Sequence, residues 1–269
     1  LGYQGNKNGT PIYQKDKFGQ IIKDENKQPI LDEDFSATIE NYKAFLKGKK
    51  IETENSFSIQ FNELNGRFDY DFYSPENRKL FSNLTNFKTV RLGDICEIVK
   101  TKSRKLKDPN LIVEYVELSD INTHSYEIIN STTSQVHELP SRASYEIEQG
   151  DIITAIAGNS VGTRKHATAL VTEDLAGSIC TNGFRVLRNF KIDSYYLLYY
   201  LKSEMFLKQM FMYRTGAAIP NVSDTDLANI IIHLPEQKTI DDISNKMKKA
   251  FELRQASKQQ IESIELEFA

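Results

Sequence analysis

Cysteine is scarce: Cys96 and Cys180 are the only two in 269 residues. That excludes a disulfide framework and leaves reduced, partly buried thiols as the expectation, as in a cytoplasmic protein. Long apolar runs are missing too. The longest, residues 195–201, has seven residues, whereas a membrane span takes roughly 20. The opening Leu1-Gly2-Tyr3-Gln4 has neither the basic nor the apolar region of a secretory leader. A net basic charge is also absent. Lys and Arg number 34 against 37 Asp and Glu, a net charge of −3. Any nucleic-acid surface is therefore a local patch on a near-neutral body.

Several chemistries lack their residues. The histidines are His124, His137, His166 and His233. No two stand at i, i+4, and neither cysteine belongs to a CxxC pair, so no metal site is expected. Gly158-Asn159-Ser160-Val161-Gly162-Thr163 lacks the Lys-Ser/Thr ending of a nucleotide loop and reads as a strand-joining turn. A methyltransferase's Asn-Pro-Pro-aromatic motif is missing. Asp226, Glu236 and Lys238 follow the order of a metal-dependent nuclease. That acid, however, stands directly after Pro235, where a helix start favours it anyway. No complete active site emerges, so the chain is read as a non-enzymatic piece. Leu1 as first residue adds the expectation that it was cut from something longer.

What is present is ordinary globular material, 39% apolar and 26% charged, enough for one or two domains. Residues 1–31 are polar and turn-rich and read as a loosely held hairpin or a tail on another surface. Phe35, Ile39, Tyr42, Phe45 and Leu46 give one apolar face of a helix over 34–46, started by Asp32-Glu33-Asp34 and ended by Gly48. Phe57, Ile59 and Phe61 alternate as in a short strand, and a short helix starts near Ser74-Pro75. Strands are expected at 111–118, 126–129, 151–157, 167–171, 183–187 and 230–233. Helices are expected at 193–202, 204–213 and 224–229. Short strands with polar turns predict an α+β fold with a mixed, mostly antiparallel sheet. From Ile240 the positions Ile243, Met247, Ala250, Arg254, Ser257, Ile261, Ile264 and Phe268 follow a heptad spacing. Such a helix packs either on its own domain or against a second long helix, and the length and polar outer face favour the second. The domain reading is 1–85 as tail and linker, 86–235 as the main domain and 236–269 as a long coiled-coil-type helix.

Three loops carry the candidate chemistry. Lys100, Lys102, Ser103, Arg104, Lys105 and Lys107 combine charge with a hydroxyl, as phosphate contacts require. Asn159, Ser160, Thr163, Arg164, Lys165 and His166 form a second basic loop, in which Asn and Arg can bond base edges bidentately. Arg214 and Thr215 form a third. A single such loop is ordinary surface; three in an acidic chain favour DNA contact.

The order of motifs over 90–269 resembles the target recognition domain of type I restriction-modification specificity subunits. The resemblance rests on Val90-Arg91-Leu92-Gly93-Asp94-Ile95, Glu148-Gln149-Gly150-Asp151-Ile152-Ile153 and Gly158-Asn159-Ser160-Val161-Gly162. It continues through Tyr196-Leu197-Leu198-Tyr199-Tyr200-Leu201 and Gly216-Ala217-Ala218-Ile219-Pro220-Asn221-Val222-Ser223 to Leu234-Pro235. Upstream, Leu1-Gly2-Tyr3, Gly9-Thr10-Pro11-Ile12, Leu31-Asp32-Glu33-Asp34-Phe35 and Tyr42-Lys43-Ala44-Phe45 are similar to the C-terminal end of adenine-modifying DNA methyltransferases. Phe57-Ser58-Ile59, Arg67-Phe68-Asp69 and Tyr73-Ser74-Pro75 resemble the junction in chains that fuse the two. The resemblance implies sequence-specific recognition of double-stranded DNA and a methyltransferase domain or subunit as partner. S-adenosylmethionine would then be used in that domain, with no cofactor in this piece. With one recognition domain instead of two, it also implies a possible homodimer through Ile240–Phe268. The family's base-reading residues vary with target, so none is carried over. The rival reading is an assembly scaffold in which the 34–46 helix and the 240–268 seam hold catalytic subunits.

Overall fold

The computed structural model describes residues 11–33, 35–53, 56–64, 66–84, 86–216 and 218–268, without the side chains of 262 and 265–268. The chain divides into two compact units, Leu1–Lys79 and Leu80–Ala269.

In the first unit, residues 11–32 form a closed ring of three short extended segments joined by isolated bridges. Lys15 bridges Ile21, Lys23 bridges Pro29 and Tyr13 bridges Leu31, all antiparallel. Ile22 N–H donates to Gln14 O (2.9 Å), Ile30 N–H to Ile22 O (3.0 Å) and Gln14 N–H to Ile30 O (2.9 Å), which closes the circle. The cause is a repeat, Lys15-Asp16…Ile21-Ile22 and Lys23-Asp24…Pro29-Ile30. In each turn the aspartate accepts two backbone N–H groups: Asp16 Oδ1 from Phe18 and Gln20, Asp24 Oδ1 from Asn26 and Gln28. A short side-chain acceptor of this kind is what stabilises a tight turn. The loosely held hairpin expected from composition is thus a hydrogen-bonded ring over the described part. Residues 1–10 lie outside the described residues, as does the Asp34 of the acidic helix start.

Helix α1 (Phe35–Leu46) follows. Glu33 caps it, accepting from Ser36 N–H (3.1 Å) and Ser36 Oγ (2.8 Å). Gly48, at φ +77°, ends it by donating to Phe45 O. Its apolar face is uncovered: Phe35, Ile39, Tyr42, Phe45 and Leu46 are all exposed. The strand expected at 57–61 does not form. Phe57 makes one bridge to Glu52, and a short 3-10 turn occupies Phe61–Glu63. Alternation makes a strand only where a sheet receives its apolar side; here Phe57 packs on the Tyr70 ring instead, at 5.2 Å. Helices α2 (Tyr70–Tyr73) and α3 (Pro75–Leu84) follow, and the division between the units falls within α3.

The second unit opens with β1 (Thr89–Arg91), α4 (Leu92–Ile95) and β2 (Glu97–Ile98). Nine strands follow: β3 (Ile112–Val116), β4 (Ile121–Asn122), β5 (Glu127–Ile128), β6 (Thr132–Gln135), β7 (Ala143–Glu146), β8 (Ile152–Ala155), β9 (Thr168–Leu170), β10 (Ile179–Thr181) and β11 (Phe184–Arg188). The chain ends with α5 (Ser194–Tyr200), α6 (Glu204–Tyr213), α7 (Asp224–Asn229), β12 (Ile231–His233) and α8 (Gln237–Phe268). Two four-stranded sheets result, β2-β11-β8-β9 and β6-β3-β10-β7, beside the pairs β1-β12 and β4-β5. Every pairing is antiparallel except β3 with β10. The fold is α+β with a mixed, mostly antiparallel sheet, as expected.

β8 is buried along its whole length between β11 and β9, which is why 151–157 is largely apolar and does not alternate. Arg188 closes one end of this sheet on the buried Asp151, with Nε–Oδ1 at 2.9 Å and Nη2–Oδ2 at 2.7 Å. Cys96 and Cys180 are free and buried, and burial pushes both thiols up to about 12. Helix α5 is capped by Asp193, and its tyrosines donate to β12: Tyr196 Oη to His233 O (2.6 Å), Tyr200 Oη to Ile231 O (3.1 Å). The α6 amide of Gln209 pairs with both backbone groups of Ile231.

The long C-terminal helix divides in use. In its first half Ile240, Ser244 and Phe251 are buried, Ile243 and Met247 pack on the core, and Phe251 meets Tyr195 of α5 edge-on at 5.9 Å. Arg254 then donates to Ser125 O (2.7 Å). Leu253 beside it, and Ile261 and Ile264 beyond it, are exposed; the Phe268 side chain lies outside the described residues. The preference for a partner helix along the whole seam is therefore corrected: Ile240, Ile243 and Met247 pack on their own domain.

Candidate nucleic-acid interface

The second basic loop leaves the end of β8, and three contacts fix its course. First, Gly162 stands at φ +74°, and a Cβ there would lie 2.5 Å from Phe211 N and 2.7 Å from its Cα. The loop thus presses its backbone on α6, which only glycine permits. Second, His166 is fully buried. Its Nδ1 accepts from Gly162 N–H (3.2 Å), so Nε2 carries the proton and donates to Thr154 Oγ1 (2.9 Å), itself paired with Thr168 Oγ1. Burial, then the nearby Lys202 ammonium, push the imidazole from 6.5 down to about 3. Third, Lys202 Nζ donates to His166 O (2.7 Å) and Arg164 O (3.3 Å).

These contacts sort the residues expected to touch DNA. Asn159, Arg164 and Lys165 are exposed, and Ser160 is half-buried. The Thr163 hydroxyl is committed within the loop: it donates to Ser160 O (2.8 Å) and accepts from Lys165 N–H (3.1 Å). His166 is removed from the basic surface altogether, being neutral and enclosed.

The third loop joins the second. Gly158 N–H donates to Pro220 O (2.9 Å), Ala157 bridges Asn221, and Asn221 bridges Thr215. Arg214 is half-buried, its guanidinium 3.5 Å from the centre of the Phe211 ring. Planar stacking of this sort holds an arginine in place with its edges free for hydrogen bonds. Thr215 is exposed beside it. Residues 158–166 and, among the described residues, 213–216 and 218–222 are thus one hydrogen-bonded surface.

The first basic segment is anchored elsewhere, on the β6-β3-β10-β7 sheet. Ser103 N–H donates to Ser144 O (2.8 Å), Ser103 Oγ donates to Glu146 (2.9 Å), and the same Oγ caps the 3-10 turn Arg104–Lys107. Lys105 Nζ reaches Gly177 O (2.6 Å) and Glu146 Oε1 (2.9 Å). Burial raises the Glu146 carboxyl, yet the bonds from Lys105 and Ser103 outweigh it and leave it below the usual carboxylate range. Ser103 and Lys105, expected as phosphate contacts, spend their polar groups on these internal bonds. Lys100, Lys102, Arg104 and Lys107 remain exposed.

Asp226 takes part in the start of α7, its carboxylate accepting from Ser223 Oγ (2.7 Å). No group of three or more His, Cys, Asp or Glu among the described residues could hold a metal ion. Lys202, Gly162 and Phe211, which shape the candidate surface, were not singled out as functional in the sequence. A Gly-x-x-x-His spacing is the one local signal they leave.

Comparison with known proteins gives a family match and two similar structures. A family model described as the type I restriction modification DNA specificity domain matches residues 85–263. A solved chain from a study of complex assembly and conformational transition of the type I R-M system is 28% identical, with a TM-score of 0.51. The HsdS subunit from Thermoanaerobacter tengcongensis is 29% identical, with a TM-score of 0.50. Each alignment covers 67% of this chain and 47% of the other, so the chain spans under half the length of either. No curated protein matches the sequence.

Proposed function

The chain belongs to the type I restriction-modification DNA specificity domain family through residues 85–263, and on that premise we propose that it reads a double-stranded DNA sequence for a restriction-modification enzyme. The observation that carries this is the single surface made by 158–166 and 213–222, where Asn159, Arg164, Lys165, Arg214 and Thr215 stand on a backbone fixed from behind. Fixed donors discriminate between bases because a wrong base leaves them unpaired. Lys100, Lys102, Arg104 and Lys107 add sequence-independent attraction to phosphate.

The chain itself is a recognition module without catalysis. Its expected partner is an adenine-specific methyltransferase, which supplies S-adenosylmethionine chemistry outside this piece. Residues 1–85 are read as the tail of such a subunit, 86–235 as the recognition domain and 236–269 as the spacer helix. The exposed half of α8, with Leu253, Ile261 and Ile264, is the surface for a homodimer. A scaffold role for the uncovered faces of α1 and α8 is the second reading; those faces favour it, while the fixed basic surface has no place in it.

Selection of bound duplexes from a random DNA pool, at about physiological salt with competitor, tests the reading. Enrichment of one motif is the expected result. An unenriched pool, repeated with the methyltransferase restored, would leave the scaffold role standing.

A further inference from the structure

Lys202 lies just past the end of α5, yet its ammonium is bonded to a distant loop. The two carbonyls it holds, of Arg164 and His166, stand one on either side of Lys165. A lysine at a helix end ordinarily keeps its charge in water near the last carbonyls. This one is half-buried instead, and burial draws its ammonium below the ordinary lysine range. A buried ammonium needs hydrogen-bond acceptors, and these two carbonyls supply them.

The rest of the loop is anchored without it. Gly162 presses on α6, His166 closes on Thr154, and Gly158 and Ala157 join the 213–222 segment. Lys202 fixes the carbonyl side of the Arg164–Lys165 peptide, whose N–H side Thr163 Oγ1 holds, and the Arg164 side chain is exposed.

We propose that Lys202 is a positioning residue for base discrimination, its ammonium setting the backbone from which Arg164 reaches the DNA. The proposal rests on the DNA-reading function above. A guanidinium making two bonds to one base tolerates little displacement, so an unfixed Arg164 keeps its charge for phosphate and loses its choice of base.

The test uses the full chain, the duplex it enriches from a random pool, and a scrambled duplex of the same composition. Discrimination is the ratio of the two affinities, measured at two salt concentrations, with thermal midpoints as a folding check. Lys202→Met is expected to lower discrimination about tenfold, with unchanged affinity for the scrambled duplex and an unchanged salt slope. Lys202→Arg restores most of it, having donors for both carbonyls. In an Arg164→Ala background, Lys202→Met has no further effect. Should the Met variant fail to fold, Lys202→Gln, with one amide for two carbonyls, is read in the same way. Discrimination that Arg164→Ala abolishes but the Lys202 variants retain overturns the positioning role and leaves the DNA reading intact. Equal loss of affinity for both duplexes also overturns it, as the mark of a merely structural lysine. If no duplex is enriched, or Arg164→Ala changes nothing, there is no reading by Arg164 to position, and the proposal falls with it.

Discussion

Lys105 commits its ammonium to Glu146 and Gly177, whereas Lys102 and Arg104 hold theirs in water. The three neighbours should therefore answer substitution differently. Lys105→Ala is expected to lower stability by about 1 kcal/mol, the scale of a partly exposed charged hydrogen bond, seen in urea unfolding, with the salt dependence of DNA binding unchanged. Lys102→Ala with Arg104→Ala should leave stability alone and flatten that dependence by about 0.9 per lost phosphate contact. A fall in slope for Lys105→Ala equal to theirs would return it to the interface. His166 gives a pH effect of definite sign. Folding lowers its pKa from 6.5 to about 3, so the unfolded chain takes up a proton that the folded one refuses. Stability should be level above about pH 7 and decline as pH falls through the ordinary histidine range, and His166→Gln should remove that part of the decline. Urea midpoints that stay constant between about pH 7 and pH 5 would contradict a buried neutral imidazole.

Among the elements, the loop after β8 depends most on one atom's absence. Gly162→Ala would place a methyl against the Phe211 backbone at a positive φ, and neither backbone can yield cheaply. A loss of roughly 2–3 kcal/mol is expected in thermal unfolding, with weaker DNA discrimination even in the folded fraction; a midpoint like the parent's would mean that the loop does not lie on α6. Elements whose side chains declare their own burial were legible beforehand. β8 and β11 are short, largely apolar stretches between polar turns, and α1 and α8 show helical spacing. Elements defined by a neighbour were not. β6 is Thr-Thr-Ser-Gln and becomes a strand only because β3 offers an edge. β10 has three residues and is held between β3 and β7. The same reason hid much of the candidate site. Charge placed Arg164 and Lys165 correctly at the surface, but nothing local tells that Lys202 is bonded to their loop, or that Asn221 ties 213–222 to 157.

For the molecule as a whole, α8 sets what it can join. Its first half is occupied by Phe251 on Tyr195 and by Ile240 in the core; the exposed Ile261 and Ile264 are what a second copy would meet. Ile261→Asp with Ile264→Asp should convert a dimer to a monomer in light scattering and leave the thermal midpoint of the domain in place. A parent that is already monodisperse and monomeric would remove the homodimer. The bridged ring of residues 11–32 bears on the chain differently. Asp32 N–H donates to Ile12 O at 2.8 Å, so the chain departs and returns at one corner. Everything between is an excursion of zero net displacement. An exchange of residues 13–31 that keeps the Ile12–Asp32 bond is therefore expected to leave the course of the chain beyond Asp32 unchanged.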